Sequence, residues 1–185
     1  IIGENGVGKT TLLRCLMSEL EHLEGVVKWS ENAAVGYCPQ DSGSFFDNDL
    51  TLMDWMSQWR RPCHNDLSVR GMLGRLLFTD DDANKKARNC SGGEKNRLLF
   101  GMLMMGDINV LVMDEPTNHM DIEAIDALNN ALKEFEGTLI FVSHDREFVS
   151  SLATRIIDIK DKALIDFQGS LDEYLSNQAL AKKVA

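Results

Sequence analysis

Nine residues near the start of the chain, Gly3-Glu4-Asn5-Gly6-Val7-Gly8-Lys9-Thr10-Thr11, leave few folds open. They follow two aliphatic residues, Ile1-Ile2, and lead into an apolar-periodic segment with Leu12, Leu13, Leu16, Met17 and Leu20. The order is strand end, glycine loop, helix start. Gly3, Gly8, Lys9 and Thr10 satisfy G-x-x-x-x-G-K-T in the context that pattern requires. Glycine lacks a Cβ, so the backbone can wrap closely around an anion. Successive N–H groups then face the phosphates, and the helix dipole adds to the field. Lys9 supplies a mobile positive charge for β- and γ-phosphates, and Thr10 a hydroxyl for Mg2+.

The 185 residues suit one domain with a real core. With 44% hydrophobic and 26% charged residues the composition is globular, and no apolar run reaches the length of a membrane span. Ile1 stands inside the strand that the loop needs, so the chain is expected to be an N-terminally truncated piece of a longer protein. Cys15, Cys38, Cys63 and Cys90 form no C-x-x-C pair, which predicts reduced thiols in a cytosolic protein. A net charge of -10 argues against a broad nucleic-acid-binding face on this chain.

The pattern predicts a helix after the glycine loop, ending near residues 19–21. Short strands are expected at 26–29 and 34–38, then a loop over 41–49. Thr51 reads as an N-cap, with Leu52, Met53, Trp55, Met56 and Trp59 on an apolar face. The two tryptophans fit core packing better than a stacking platform. A second helix is expected over 67–78, and Asp80-Asp81-Asp82 as a helix cap and solvated turn. Residues 50–88 thus form a helical insertion. A helix over 93–105, with Leu98, Leu99, Met102 and Met105 inward, follows a second glycine loop. Strands over 109–113 and 138–142 flank a helix over 122–135. A short helix at 146–152 precedes strands at 155–159 and 163–167, joined by Lys160-Asp161-Lys162, and a helical tail from 170 with a frayed end. Strands alternating with helices give an α/β fold with a mostly parallel sheet, whose ligands bind at the carboxyl ends of the strands.

Asp114-Glu115 follows a buried strand. An aspartate there can hold Mg2+, and the adjacent glutamate, pointing elsewhere, can polarise a water. His144 follows a second buried strand, where a γ-phosphate sensor can sit. Gln40 closes a third, and its amide can ligate Mg2+ or hydrogen-bond a water. Ser91-Gly92-Gly93 is a second anion loop at a helix start. One nucleotide rarely needs two such loops, so the second is expected to serve a nucleotide held by a partner domain.

In this order, residues 3–11, Gln40, Ser91-Gly92-Gly93-Glu94, Asp114-Glu115 and His144 resemble an ABC-type ATPase domain over essentially the whole chain. Asp114-Glu115-Pro116-Thr117-Asn118-His119-Met120-Asp121 and Val142-Ser143-His144-Asp145-Arg146-Glu147-Phe148 resemble its ABC-F branch, in particular the second ABC domain of the YbiT-like bacterial group. The resemblance implies a P-loop nucleotide-binding domain with core 1–49 and 89–169, a helical subdomain at 50–88 and a C-terminal helix at 170–185. It implies that Gly3, Glu4, Asn5, Gly6, Val7, Gly8, Lys9, Thr10 and Thr11 form the Walker A loop. Gln40 resembles the Q-loop glutamine, and Ser91, Gly92, Gly93 and Glu94 the signature loop. Asp114 resembles the Walker B aspartate, Glu115 the general base, Asp121 the D-loop aspartate and His144 the switch histidine. Cys90 departs from the aliphatic residue usual before Ser-Gly-Gly. The aromatic residue that stacks on adenine and the interdomain linker would lie upstream.

The implied activity is Mg2+-dependent ATP binding and hydrolysis by one half of a tandem ABC-F translation factor. Its expected partners are a second ABC domain of the same chain and, through the parent protein, ribosome and tRNA, in the cytoplasm and without a membrane domain. The ATPase subunit of an ABC membrane transporter shares the same catalytic residues and stands as the alternative.

Overall fold

Short aliphatic strands and capped helices build two units in a computed structural model, which describes residues 1–41, 43–160 and 163–184. The expected Asp161-Lys162 connection and Ser42 of the expected loop lie outside the described residues. The first unit comprises residues 1–28 and 141–185, the second residues 29–140.

In the first unit, β1 (Ile2–Gly3) pairs in parallel with β5 (Arg155–Lys160), which pairs antiparallel with β6 (Ala163–Gln168). Helix α1 (Lys9–Leu16) follows β1 after the glycine loop, α6 (Arg146–Leu152) precedes β5, and α7 (Leu171–Val184) follows β6. Leu13, Phe148, Val149, Ile156 and Tyr174 are buried here. Tyr174 Oη donates to Asp158 Oδ2 at 2.6 Å, and Gln178 bonds the same hydroxyl, so α7 is tied to β5 by a buried polar contact. Burial, reinforced by Asp158, pushes the Tyr174 hydroxyl up to about 12.

Helix α1 ends earlier than the periodicity predicts. Ser18 takes a left-handed φ of 59°, Ser18 N–H donates to Cys15 O and Glu19 N–H to Arg14 O, a Schellman stop with serine where glycine is usual. The strand expected at 26–29 is irregular chain, with Val26 88% exposed and so without the burial that a strand's apolar face needs.

In the second unit the strand order is β2 (Val35–Cys38), β3 (Val110–Asp114), β4 (Thr138–Val142), with β4 running on past the unit boundary. β2 and β3 are parallel, Val35 opposite Val110 and Cys38 opposite Met113. Asn109 gathers the strand starts: its Oδ1 accepts from Ala34 N–H (2.9 Å), its Nδ2 donates to Asn32 O (2.7 Å), and its O accepts from Thr138 N–H (2.9 Å). Helix α4 (Gly92–Met105) buries Leu98, Leu99, Met102 and Met105 as the spacing predicts, and α5 (Ile122–Lys133) buries Ala124, Leu128 and Leu132.

The 50–88 segment carries α2 (Leu52–Ser57) and α3 (Asp66–Arg75). Thr51 caps α2 by accepting from Asp54 N–H at 3.1 Å. Trp55 is core, stacked on Phe46 at 4.9 Å, whereas Trp59 lies beyond the helix end and 42% exposed. α3 stops at Arg75 because Leu77 takes a φ of 63° and Phe78 N–H reaches back to Leu73 O. Of the acidic run, Asp82 closes a turn on Thr79 rather than capping an α-helix, its Oδ2 accepting from Thr79 N–H at 2.8 Å. The expected 41–49 loop contains a 3-10 turn, Gly43–Phe46, whose Phe45 O accepts from the Trp55 indole at 2.9 Å. All four cysteines are free thiols.

Candidate functional site

The glycine loop of the first unit is wound around its own lysine. Lys9, 7% exposed, is the first residue of α1, and its Nζ donates to Gly3 O and Glu4 O at 2.9 Å each. Because trans peptides are planar, turning those two carbonyls inward turns the N–H groups of Glu4 and Asn5 outward. Gly3 has a φ of 146°, and a Cβ there would stand 2.6 Å from Ile159 O of β5, so only glycine fits. Gly8 occupies the N-cap of α1 without a side-chain cap, leaving the first N–H groups of the helix to an anion. Thr10 and Thr11 are exposed beside them.

In the second unit the chemistry gathers at one edge, because β2 and β3 are parallel and end together. Gln40 leaves the tip of β2 and is exposed. Asp114 ends β3 at 1% exposure, and both its carboxylate oxygens are buried without a hydrogen-bond partner among the described residues. An unpaired buried carboxylate is costly, and a cation or its water shell removes that cost. Asp114 therefore fits Mg2+, which takes one or two carboxylates and keeps waters. Among the described residues no three His, Cys, Asp or Glu side chains gather into a metal cage. Burial, with the Asp114 charge second, pushes the neighbouring Cys38 thiol up to about 12, so it stays protonated.

Glu115, 8% exposed, turns out of the strand with a left-handed φ of 51°. That turn separates its side chain from that of Asp114 and stores about 1–3 kcal/mol of strain, a feature concentrated at functional sites. Asn118 N–H donates to Glu115 O and Met120 N–H to Thr117 O, which coils residues 115–121 into a tight loop. Asp121 closes it, its Oδ1 capping α5 at Ala124 N–H (2.8 Å).

That loop packs on the start of α4. A Cβ on Gly93 would stand 2.6 Å from His119 O, and Asn96 Nδ2 donates to Asn118 O at 3.2 Å. Ser91 and Glu94 form a full capping box: Glu94 N–H donates to Ser91 Oγ, and Ser91 N–H to Glu94 Oε2 at 2.7 Å. Residues 91–94 and Asp121 are thus close to one another in this unit. Missed in the sequence is Lys85, whose Nζ donates to both Glu94 oxygens at 2.8 and 2.9 Å. Its distance of nine residues along the chain matches no helical spacing, so nothing local marks it.

His144 stands exposed in the first unit, between Ser143 at the end of β4 and Asp145. Asp145 Oδ1 is committed to capping α6 through Phe148 N–H at 3.1 Å, which fixes the backbone that carries His144.

Residues 1–118 match the family described as ABC transporter. The chain is 56% identical, over 97% of its length, to the probable ATP-binding protein YbiT of Escherichia coli O157:H7, of which it covers 34%. It is 36% identical, over 98% of its length, to ABC transporter F family member 5 of Arabidopsis thaliana, of which it covers 26%. The chain therefore spans about a quarter to a third of the length of these curated relatives. Among solved structures, that of RNase-L Inhibitor aligns with a TM-score of 0.78 at 24% identity, over 98% of this chain and 36% of that one. At that identity the likeness shows a shared fold.

Proposed function

The chain belongs to the ABC transporter family, in its F branch, and on that premise we propose that it binds and hydrolyses ATP as one of two ABC domains of a cytoplasmic translation factor acting on the ribosome. On this reading residues 1–185 are a single ABC domain, with residues 50–88 its helical insertion and 170–185 its C-terminal helix.

The observation that carries nucleotide binding is the loop wound on Lys9, with two carbonyls turned inward and N–H groups turned out at the head of α1. Gly3, Glu4, Asn5, Gly6, Val7, Gly8, Thr10 and Thr11 offer backbone and hydroxyl groups to the phosphates, and Lys9 offers its charge. Bound Mg2+ would supply positive charge to the β- and γ-phosphoryl oxygens. Asp114 is assigned to it by its orphaned oxygens, and Thr10 and Gln40 by their motif positions alone. Glu115 orients the attacking water and takes its proton as the oxygen bonds to the γ-phosphorus and the β,γ-bridging P–O bond breaks. His144 donates to a γ-phosphoryl oxygen. The N–H groups of Gly92 and Gly93 face a nucleotide held by the second ABC domain, beside the Ser91 hydroxyl and Glu94 of the same loop, and Asp121 borders that contact. ATP thus joins two domains, and hydrolysis to ADP and phosphate releases them.

Two experiments test this. Lys9→Ala should weaken binding of a fluorescent ATP analogue by about 10–100-fold, the worth of charge-assisted hydrogen bonds. Unaltered binding would remove the loop from the site. Glu115→Gln should hold the ATP-bound form on ribosomes in a co-sedimentation assay; unchanged turnover in that variant removes Glu115 as the base. Sedimentation with membranes instead of ribosomes would favour the transporter-subunit reading. Among the described residues no helix is long and apolar enough to cross a membrane.

A further inference from the structure

Glu94 poses an electrostatic problem for the proposed signature loop. It sits in the first turn of α4, where a carboxylate stabilises the helix, but its charge also repels a phosphate approaching the same N–H groups. Lys85 answers both needs. Its ammonium spans the two Glu94 oxygens at 2.8 and 2.9 Å, with the two side chains 31% and 21% exposed. The ion pair leaves Glu94 Oε2 still accepting from Ser91 N–H at 2.7 Å. Burial works to raise the Glu94 carboxyl, yet the Lys85 and Ser91 hydrogen bonds outweigh it and hold it below the usual range. The hydrogen bond to Glu94 raises the Lys85 ammonium in turn.

Lys85 is itself held in place. Its N–H donates to Asp82 O at 2.8 Å, and its O accepts from Leu52 N–H at 2.9 Å, at the first residue of α2. The helical insertion therefore fixes where the ammonium can reach.

We propose that Lys85 is a positioning residue of the composite nucleotide site: it draws the Glu94 carboxylate against the capping box and cancels its charge, so that the Gly92 and Gly93 N–H groups can donate to the γ-phosphate of a nucleotide held by the second ABC domain. This rests on the function proposed above. A charge of one sign at a helix N-terminus is worth about 0.3–2 kcal/mol, so removing the cation shifts nucleotide affinity by about 2–30-fold.

The test is steady-state ATP turnover by the protein with both ABC domains present. Lys85→Met should raise the ATP KM several-fold while kcat stays within about twofold, and the defect should shrink at high salt as the bare carboxylate is screened. Lys85→Arg should restore the wild-type KM. Adding Glu94→Gln to Lys85→Met should lower the raised KM, because glutamine keeps the capping acceptor and drops the charge. If Lys85→Met unfolds, Lys85→Gln carries the same comparison. A KM equal to that of the wild type, or a rise that Glu94→Gln does not relieve, overturns the role of Lys85. Absence of ATP turnover in the wild-type protein overturns the proposed function itself, and this inference with it.

Discussion

Adjacent glycines at the start of α4 should respond to alanine with opposite signs. Both lie in the first turn of a helix, where replacing glycine by alanine gains up to about 0.5–1 kcal/mol through backbone entropy and propensity. At Gly92 the new methyl meets His119 Cβ at 3.6 Å, an ordinary contact. At Gly93 it meets His119 O at 2.6 Å, about 0.8 Å inside ordinary contact. The obstacle is backbone, and it cannot withdraw freely. His119 has a left-handed φ of 63°, Met120 N–H is bonded to Thr117 O, and Asn118 O is held by Asn96. Overpacking against such a wall costs about 1–3 kcal/mol. Gly92→Ala should therefore leave the thermal midpoint unchanged or raise it. Gly93→Ala should lower it by roughly 2–10 °C, at about 2–4 °C per kcal/mol for a chain of this size. Circular dichroism melts without nucleotide read both. Equal midpoints, or a Gly93→Ala chain as stable as Gly92→Ala, would refute the packing of residues 115–121 against α4.

Tyr174→Phe removes the donor to buried Asp158 and should cost about 1.5–3 kcal/mol, seen as a midpoint lower by about 4–10 °C. The wild-type chain should also lose stability as pH rises from about 10 toward 12, because the unfolded chain releases the Tyr174 proton first and the folded chain retains it to about 12; the phenylalanine variant should lack that part of the alkaline limb. Asp114→Asn should raise the midpoint of the free chain by about 2–8 °C, since it replaces a buried carboxylate unpaired among the described residues by a neutral amide, while abolishing the stabilisation by MgATP that the proposed function predicts for the wild type in parallel melts.

Local chemistry carried much of this fold. Thr51 announces its helix because a cap acts over three residues, and the apolar run at 138–142 is a strand with those bounds. Helix ends were harder to see. The stops after α1 and α3 place Ser18 and Leu77 where glycine is the usual signal, so the sequence carries no mark of them. Residues 26–29 have the composition of a strand, but strand formation depends on a neighbour, and Val26 remains exposed. At the site, the residue types were legible from the motifs. Their environment was not: Asp114 without a partner among the described residues, Glu115 bent into a left-handed turn and Lys85 clamped on Glu94 follow no spacing that the sequence displays.

Asn109 gives the second unit a common origin for its strands. β2 and β3 rise from its hydrogen bonds as struts of fixed length, and each strut ends where Gln40 or Asp114 must be aimed. A slip of one residue at that origin would carry the far tip about 3.3 Å along and turn every side chain to the opposite face. On the proposed function, the aim of Gln40 and Asp114 is therefore decided at the opposite ends of their strands. A variant of Asn109 that misfires should do so as a misaligned instrument does, with every working part intact and the aim lost.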